Sequence, residues 1–470
     1  MDKYYSSEQF RTILKKYEDM NKLGVSSYLD AEELTDVAEF YHMQGNIQQA
    51  LEAVDMALRI FPGATTPIVF KARVALLIDN DIQKAYEMIE QIKDKSDIEY
   101  TYIKAETMLA DYHAKEADSL LSERFNDFAG DKEDFILDAA TLFADYDEYD
   151  LAEKWLSQSS LHEENDYKDV QARILMERGK YAESESLFNE LIDRDPFSSV
   201  YWNRLASSQF MRNSIQESIT SSEFSIAINP NDDEAILNKA NGLFSLGNFE
   251  EALEYYKKFC LLQPANETGE LFQGITLGNL DKPEEAIEHL EKALILARKT
   301  TNNIQQILQE LAFHESRLGH VDKAMNYLDQ NEKAGADENI NNITRGYVFL
   351  ENGNLEEAEK IFTKTLQESE YSLEMQFHIA VAAYDNGYIQ TAFKMLGMIM
   401  LSADDDWKDG YAYYARCCYE LGHENLFPDA LKLAVLKNSA EARLVLADLY
   451  PEGTLPIDYP NIELKRHFNP

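Results

Sequence analysis

A small side chain returns at a nearly constant spacing through most of the chain. An alanine, or in two places a serine, stands at Ala50, Ala85, Ala117, Ala152, Ser184, Ser218, Ala252, Ala286, Ala324, Ala358, Ala392 and Ala430. The eleven intervals run from 32 to 38 residues, and five of them equal 34. An apolar residue stands three before, as at Ile47, Ile82, Ile215, Phe249, Leu355 and Phe427. A second small residue stands twelve before most of them: Ala38, Ala105, Ala140, Ala172, Ala206, Ala240, Gly274, Ala312, Gly346 and Ala380. Two small residues at this distance let two helices of a pair approach closely where they cross. In repeat 2 the equivalent, Ala72, is one step off, and in repeat 12 Ala415 lies fifteen before Ala430. A chain with such a period stacks supersecondary units instead of closing one globular core.

The residues between the two small positions support helices joined by tight turns. Gly45, Gly179, Gly247, Gly319, Gly353, Gly387 and Gly422 mark the turns, and Asn80, Asp147, Asn213 and Asp281 fill the same slot elsewhere. These residue types tolerate the left-handed backbone at a helix end. Pro62, Pro196, Pro230 and Pro264 stop the second helix of four repeats. Apolar spacing within a repeat is helical, as in Ile236, Ala240, Leu243 and Phe244, then Phe249, Ala252, Leu253 and Tyr256. No stretch alternates with period two long enough to form a sheet, so the fold class is all-α.

Gly-Asn-Phe-Glu-Glu-Ala at 247–252, Gly-Asn-Leu-Glu-Glu-Ala at 353–358 and Gly-Lys-Tyr-Ala-Glu-Ser at 179–184 resemble the centre of a tetratricopeptide repeat. Trp202, Leu205, Ala206, Ser218 and Pro230 fit the same register. The resemblance covers residues 31–437, about twelve repeats, with the third, fourth and ninth degenerate. It implies a right-handed α-solenoid superhelix whose first helices line a concave wall, where partners dock as extended peptides or helices. Residues 1–30 are expected to form an N-terminal capping helix, with Ser6 and Gln9 as its capping box and Gly24 as its end. Residues 438–450 are expected to close the array, and the proline-rich 451–470 to be an irregular tail. The longer intervals before Ala324 and Ala430 predict extended loops near Lys299–Asn303 and His423–Phe427, with 299–304 as the candidate break in the array.

Composition narrows the partners. With 44 Lys+Arg against 85 Asp+Glu the net charge is −41. Such a surface repels phosphates, which argues against nucleic acid and anionic membranes and permits basic partners. The first residues, Met1 to Tyr5, carry no apolar stretch of the signal-peptide kind, and the longest uncharged run, 60–70, is too short to span a bilayer. The 3 cysteines make no disulfide framework, and a cytoplasmic setting is expected. Cys417 and Cys418 are adjacent and read as packing, and Cys260 as core. No phosphate loop, His-Glu-x-x-His or Cys-x-x-Cys occurs. No enzyme activity, metal or cofactor is therefore expected.

The expected groove has three zones. The first is acidic: Glu32, Asp36, Glu39, Glu99 and Glu106. The second is polar and locally basic: Arg173, Asn203, Arg204, Asn238 and Asn241. Asparagines can pair with an extended backbone and arginines with a carboxylate, unless the arginines simply pair with neighbouring acids in the same chain. The third is aromatic: Phe272, Phe313, Tyr347, Phe377, Tyr384, Tyr413 and Tyr419. These rings either anchor a partner helix or pack between repeats. The lysines of the family's carboxylate clamp are missing, with Asp169 and Asn203 at one such position, so chaperone C-termini are not expected ligands. The leading expectation is a non-catalytic scaffold that holds a protein or peptide partner in the groove. The alternative is a regulatory or sensor subunit whose solenoid changes curvature on binding a peptide or small ligand.

Overall fold

The structure is a computed structural model that describes residues 4–5, 7–23, 28–79, 81–300, 303–451 and 454–468. Every regular element among these residues is a helix. The chain divides into two compact units, 1–228 and 229–470.

Unit 1 begins with a helix at Glu8–Leu23, followed by six helix pairs. Repeat 1 is Ala31–Met43 with Ile47–Ile60, repeat 2 Thr65–Leu77 with Ile82–Ile89, and repeat 3 Ile98–Ala110 with Ala114–Asp127. Repeat 4 is Lys132–Asp145 with Tyr149–Leu156, repeat 5 Asn165–Glu177 with Tyr181–Arg194, and repeat 6 Ser199–Met211 with Ile215–Ile228. Unit 2 continues with six more. Repeat 7 is Asp233–Ser245 with Phe249–Leu262, repeat 8 Glu267–Asn279 with Pro283–Thr300, and repeat 9 Ile304–Arg317 with Val321–Lys333. Repeat 10 is Glu338–Glu351 with Leu355–Glu368, repeat 11 Leu373–Asp385 with Ile389–Ser402, and repeat 12 Tyr411–Glu420 with Phe427–Lys437.

The recurring small residues sit where the paired helices cross. Ala50, Ala85, Ala117, Ala152, Ser184, Ser218, Ala252, Ala286, Ala324, Ala358 and Ala392 have no exposed surface. A Cβ added at Gly346 would stand 2.2 Å from a ring carbon of Phe362 on the partner helix. The Ser218 hydroxyl donates to the Ala206 carbonyl at 2.7 Å, so the small residue can be polar when the facing helix offers an acceptor. Side chains of Asp30, Asp97, Asp131, Ser198, Asp232, Asn266, Asp337 and Ser372 accept from backbone N–H groups at the starts of first helices. The turns take positive φ, from Gly247 at 79° to Asp147 at 59°, and in repeat 3 the residue in that slot is Tyr112, at 60°.

Within each unit the first helix of every pair packs on its own second helix, and that second helix packs on the first helix of the next pair. The apolar clusters follow the same rule. Phe70 and Val74 of repeat 2 join the core of repeat 1 and the N-terminal helix. Ile307, Leu308 and Leu311 of repeat 9 join that of repeat 8. Each unit is thus a solenoid held by neighbour contacts.

Several expectations are corrected at the ends and loops. Ser6, Gly24 and Asn80 lie outside the described residues, and the side chain that accepts at the start of the first helix is Ser7, from the Phe10 N–H at 3.1 Å. The long interval before Ala324 is filled by an 18-residue helix, Pro283–Thr300, where an extended loop was expected. Residues 301–302 lie outside the described residues, and the boundary between units falls at 228/229, not at 299–304. The tail is not irregular throughout. Pro456 opens a 3-10 turn, and Pro460 falls in the first turn of a helix at Tyr459–Phe468, where no N–H is needed. Tyr459 is buried and stacks on Tyr450 with ring centroids 4.0 Å apart.

Candidate functional site

Two concavities face the same kind of helix, one in each unit. In unit 1 a groove of about 550 Å³ is lined by residues of the first helices of repeats 2, 3 and 4, with Tyr146 at the end of the last. In unit 2 a groove of about 450 Å³ is lined only by first helices, those of repeats 8, 9, 10 and 11. Along each groove the first helices lie side by side, so their outward faces form a continuous strip there. Among the described residues no second helix contributes to either lining.

The unit 1 groove carries Glu99, Glu106, Asp138 and Asp145, with Arg73 as its one cation among the lining residues. Most of these groups are already paired. Arg73 Nε is 3.0 Å from Glu106, the Tyr102 hydroxyl engages Asp138, and Asp145 holds Arg173 at 2.8 Å. Burial pushes the Glu99 and Asp138 carboxyls above the usual range. Toward the N-terminus Asp36 and Glu39 accept hydrogen bonds from the hydroxyls of Tyr4 and Tyr5, and Glu32 lies on the same helix.

The polar and basic zone is divided between the units. Arg173 is 8 % exposed and ion-paired with Asp145, and Arg204 is ion-paired with Asp169. Both guanidinium groups thus have partners within the chain. Asn203 is buried. In unit 2, Asn241 accepts from the Tyr256 hydroxyl at 2.8 Å, and Asn238 is half-buried on the same helix.

The aromatic residues lie on the first helices of unit 2. Phe313 and Tyr347 meet edge to face at 5.1 Å and both line the groove. Phe377 meets Tyr413 at 6.2 Å, Tyr413 meets Tyr384 at 5.6 Å, and the Tyr384 hydroxyl donates to Glu420 at 2.8 Å. Phe272 instead stacks on Tyr256 within the repeat stack, and Tyr419 meets Phe427 at a tilt, with ring centroids 5.4 Å apart. The rings therefore serve both roles: some pack repeats together, while Phe313 and Tyr347 also present surface to the groove.

Sequence reading did not pick out Glu310, His314, Arg317 or Asp385 as groove residues. The first three lie at positions i, i+4 and i+7 of one helix, a spacing that puts them on one face. His314 packs where Gly278 has no side chain: a Cβ there would stand 2.3 Å from the imidazole Cε1. Burial holds the His314 imidazole neutral, its pKa lowered to about 4. The surrounding apolar groups push the Glu310 carboxyl up and that of Asp385 up to about 6. Cys417 and Cys418 are buried with thiols pushed well up, and Cys260 is half-buried, its sulfur accepting from Gln273. Thiols so far above neutral pH are poor nucleophiles.

The tetratricopeptide repeat family matches residues 170–233 and 233–266. No curated protein matches the sequence. Among solved structures, a tetratricopeptide repeat protein from Parabacteroides merdae is 14% identical, over 58% of this chain and 98% of its own, with a TM-score of 0.44. The anaphase-promoting-complex assembly Cut9–Hcn1 is 14% identical over 94% of each chain, with a TM-score of 0.37. The type IV pilus biogenesis factor PilW is 18% identical, over 45% of this chain and 96% of its own, with a TM-score of 0.40. At these identities the likeness is one of fold.

Proposed function

This chain carries tetratricopeptide repeats, and from that premise we propose that it is a non-catalytic interaction scaffold whose first-helix grooves hold a segment of a partner protein. The observation that carries this reading is the lining of the unit 2 groove. Four consecutive repeats contribute to it, and every contributing residue comes from a first helix. A strip of that kind offers a side-chain subsite at each repeat, which suits an elongated ligand better than a compact one. Charge favours a basic segment: the chain carries −41 overall, and acidic side chains line both grooves. Among the described residues no helix is long and apolar enough to cross a membrane.

The test is affinity purification with mass spectrometry on the full chain and two charge-reversal variants, Glu99→Lys/Asp138→Lys in unit 1 and Glu310→Lys/Asp385→Lys in unit 2. A stoichiometric partner kept by the wild type and lost from at least one variant of unchanged helicity supports the reading. A partner held equally by all three places the interface elsewhere.

A further inference from the structure

The unit 2 groove contains polar groups that the fold itself leaves unused. His314 is 5 % exposed and lines the groove, and among the described residues neither ring nitrogen has a hydrogen-bond partner. A Glu310 carboxylate oxygen is 3.8 Å from Nε2, too far for a hydrogen bond. An imidazole this buried normally satisfies at least one nitrogen. Its neutral form leaves one nitrogen as an acceptor and one N–H as a donor.

The surrounding charge has one sign left over. Arg317 is the lining cation other than histidine, and its guanidinium is already taken: it reaches Asp281 at 2.6 Å and the Gly278 carbonyl at 3.3 Å. Glu310 and Asp385 have no ion pair with a lysine or arginine among the described residues. Asp385 lies close enough to the Tyr347 hydroxyl to raise its pKa. The Tyr347 and Phe313 rings line the same groove. The groove in unit 1 differs, because Arg73, Tyr102 and Arg173 already engage three of its four carboxylates, Glu106, Asp138 and Asp145.

We propose that this groove seats the guanidinium of an arginine on the partner segment, with Glu310 as carboxylate acceptor, His314 as a neutral acceptor and Tyr347 as an aromatic face, and with the Asp385 carboxylate adding negative charge on the Tyr347 side of the same groove. A guanidinium meets every one of these features. It is planar, so it stacks on a ring; it has five N–H donors, so it can serve a carboxylate and an imidazole nitrogen together; and it is weakly hydrated, so it enters a half-buried site more readily than an ammonium. This assignment rests on the groove reading above and adds the chemistry that the groove recognises.

The full chain labelled with [13Cε1]-histidine is titrated with Nα-acetyl-arginine amide and followed by NMR, the His314 signal being identified by its loss in His314→Gln. The expected result is a saturable shift of that signal, with His289 and His320 unmoved. Nα-acetyl-citrulline amide, which has the same shape without the charge, should produce no saturable shift. Glu310→Gln and Asp385→Asn should each weaken the arginine amide at least five-fold while leaving the circular dichroism spectrum unchanged. No saturable shift in the wild type, an equal shift with citrulline, or equal affinity in both variants overturns the assignment. The two readings fail separately. If the arginine probe does not bind while the charge-reversal variants still lose their partner, the groove stands and the guanidinium site falls. If the probe binds while every variant keeps its partner, the site stands and the groove reading falls.

Discussion

Tyr112 makes the turn of repeat 3 in the backbone conformation that glycine adopts in seven of the other turns, and its side chain is 95 % exposed. A Cβ in that region costs about 1–2 kcal/mol, partly offset by the greater chain freedom of unfolded glycine. Tyr112→Gly is therefore expected to stabilise unit 1 by about 0.5–1 kcal/mol, read as a higher thermal midpoint by circular dichroism. A lower midpoint would show that the ring makes a contact worth more than the strain. Asp385 gives a second test, with a pH signature. Loss of hydration raises its carboxyl from 3.8 to about 6. Tyr347 and Tyr413 lie within electrostatic reach of it, and His378 and Arg317 line the same groove. A folded pKa above the unfolded one means that the folded chain binds the proton more tightly, so the ionised form opposes folding above about pH 6. The opposition fades as the pH falls through 6 and is gone below the unfolded value. Asp385→Asn should thus raise the thermal midpoint at pH 7.5 and change little near pH 4. His314 works in the opposite direction. Its lowered pKa contributes stability above the unfolded histidine value of 6.5 that is lost as pH falls toward 4. That term is common to wild type and variant and cancels in their difference. A midpoint difference that stays constant from pH 7.5 to 4 would contradict the Asp385 argument.

At the scale of the helix, Gly278 and His314 set how repeat 8 lies on repeat 9. Gly278→Ala ought to gain about 1 kcal/mol from helix propensity. Yet its Cβ would meet the imidazole at 2.3 Å, and forcing a packed ring aside costs about 1–3 kcal/mol. The single substitution is expected to destabilise unit 2, and the same substitution in a His314→Ala background to stabilise it. Additive effects in this double-mutant cycle, measured by urea unfolding, would mean that the ring and the glycine do not constrain each other. A comparable element-level device closes the array. The buried Glu441 carboxylate accepts the N–H groups of Gly410 and Ala412 at 2.7 and 2.9 Å, so Glu441→Ala should cost about 1–3 kcal/mol and loosen repeat 12 first, visible as faster hydrogen exchange there. The elements themselves were legible because the small residues at 34-residue spacing have a steric cause that acts within each pair. That the aromatic residues fall on first helices was legible for the same reason, since a position in the register fixes which helix a residue occupies; which of them, like Phe313 and Tyr347, line the groove was not. Pairing of Arg173 and Arg204 with acids of the same chain was a legible alternative, but not which acids, Asp145 and Asp169, because each partner sits on the preceding repeat and several acids compete for every arginine. The tail helix escaped because proline count was read without position: a proline in a first turn starts a helix as readily as one elsewhere ends it. The unused polarity of His314 could be seen only once Gly278 was known to stand opposite, 36 residues earlier.

For the molecule as a whole, the balance lies between neighbour contacts and charge. Among the described residues of each unit a helix pair is held chiefly by the pairs before and after it, so bending is resisted mainly by neighbour contacts. Against that local cohesion stands a net charge of −41. Repulsion between repeats reaches roughly one Debye length, about 10 Å at 0.1 M salt and about 30 Å at 0.01 M. Repeats that do not touch are therefore screened from one another at physiological salt and repel one another at low salt. The radius of gyration from small-angle scattering should rise as salt falls from about 0.5 M to about 0.01 M, and the far-ultraviolet circular dichroism should not change, because the repulsion acts between helix pairs and not within them. Adding a short arginine-containing polycation at low salt should reverse the expansion at a concentration where sodium chloride of equal ionic strength does not. A scattering profile indifferent to salt would mean that the neighbour interfaces are stiffer than the repulsion. In that case binding could not work by bending the array, and the sensor alternative would lose its physical basis while the static scaffold would keep its own.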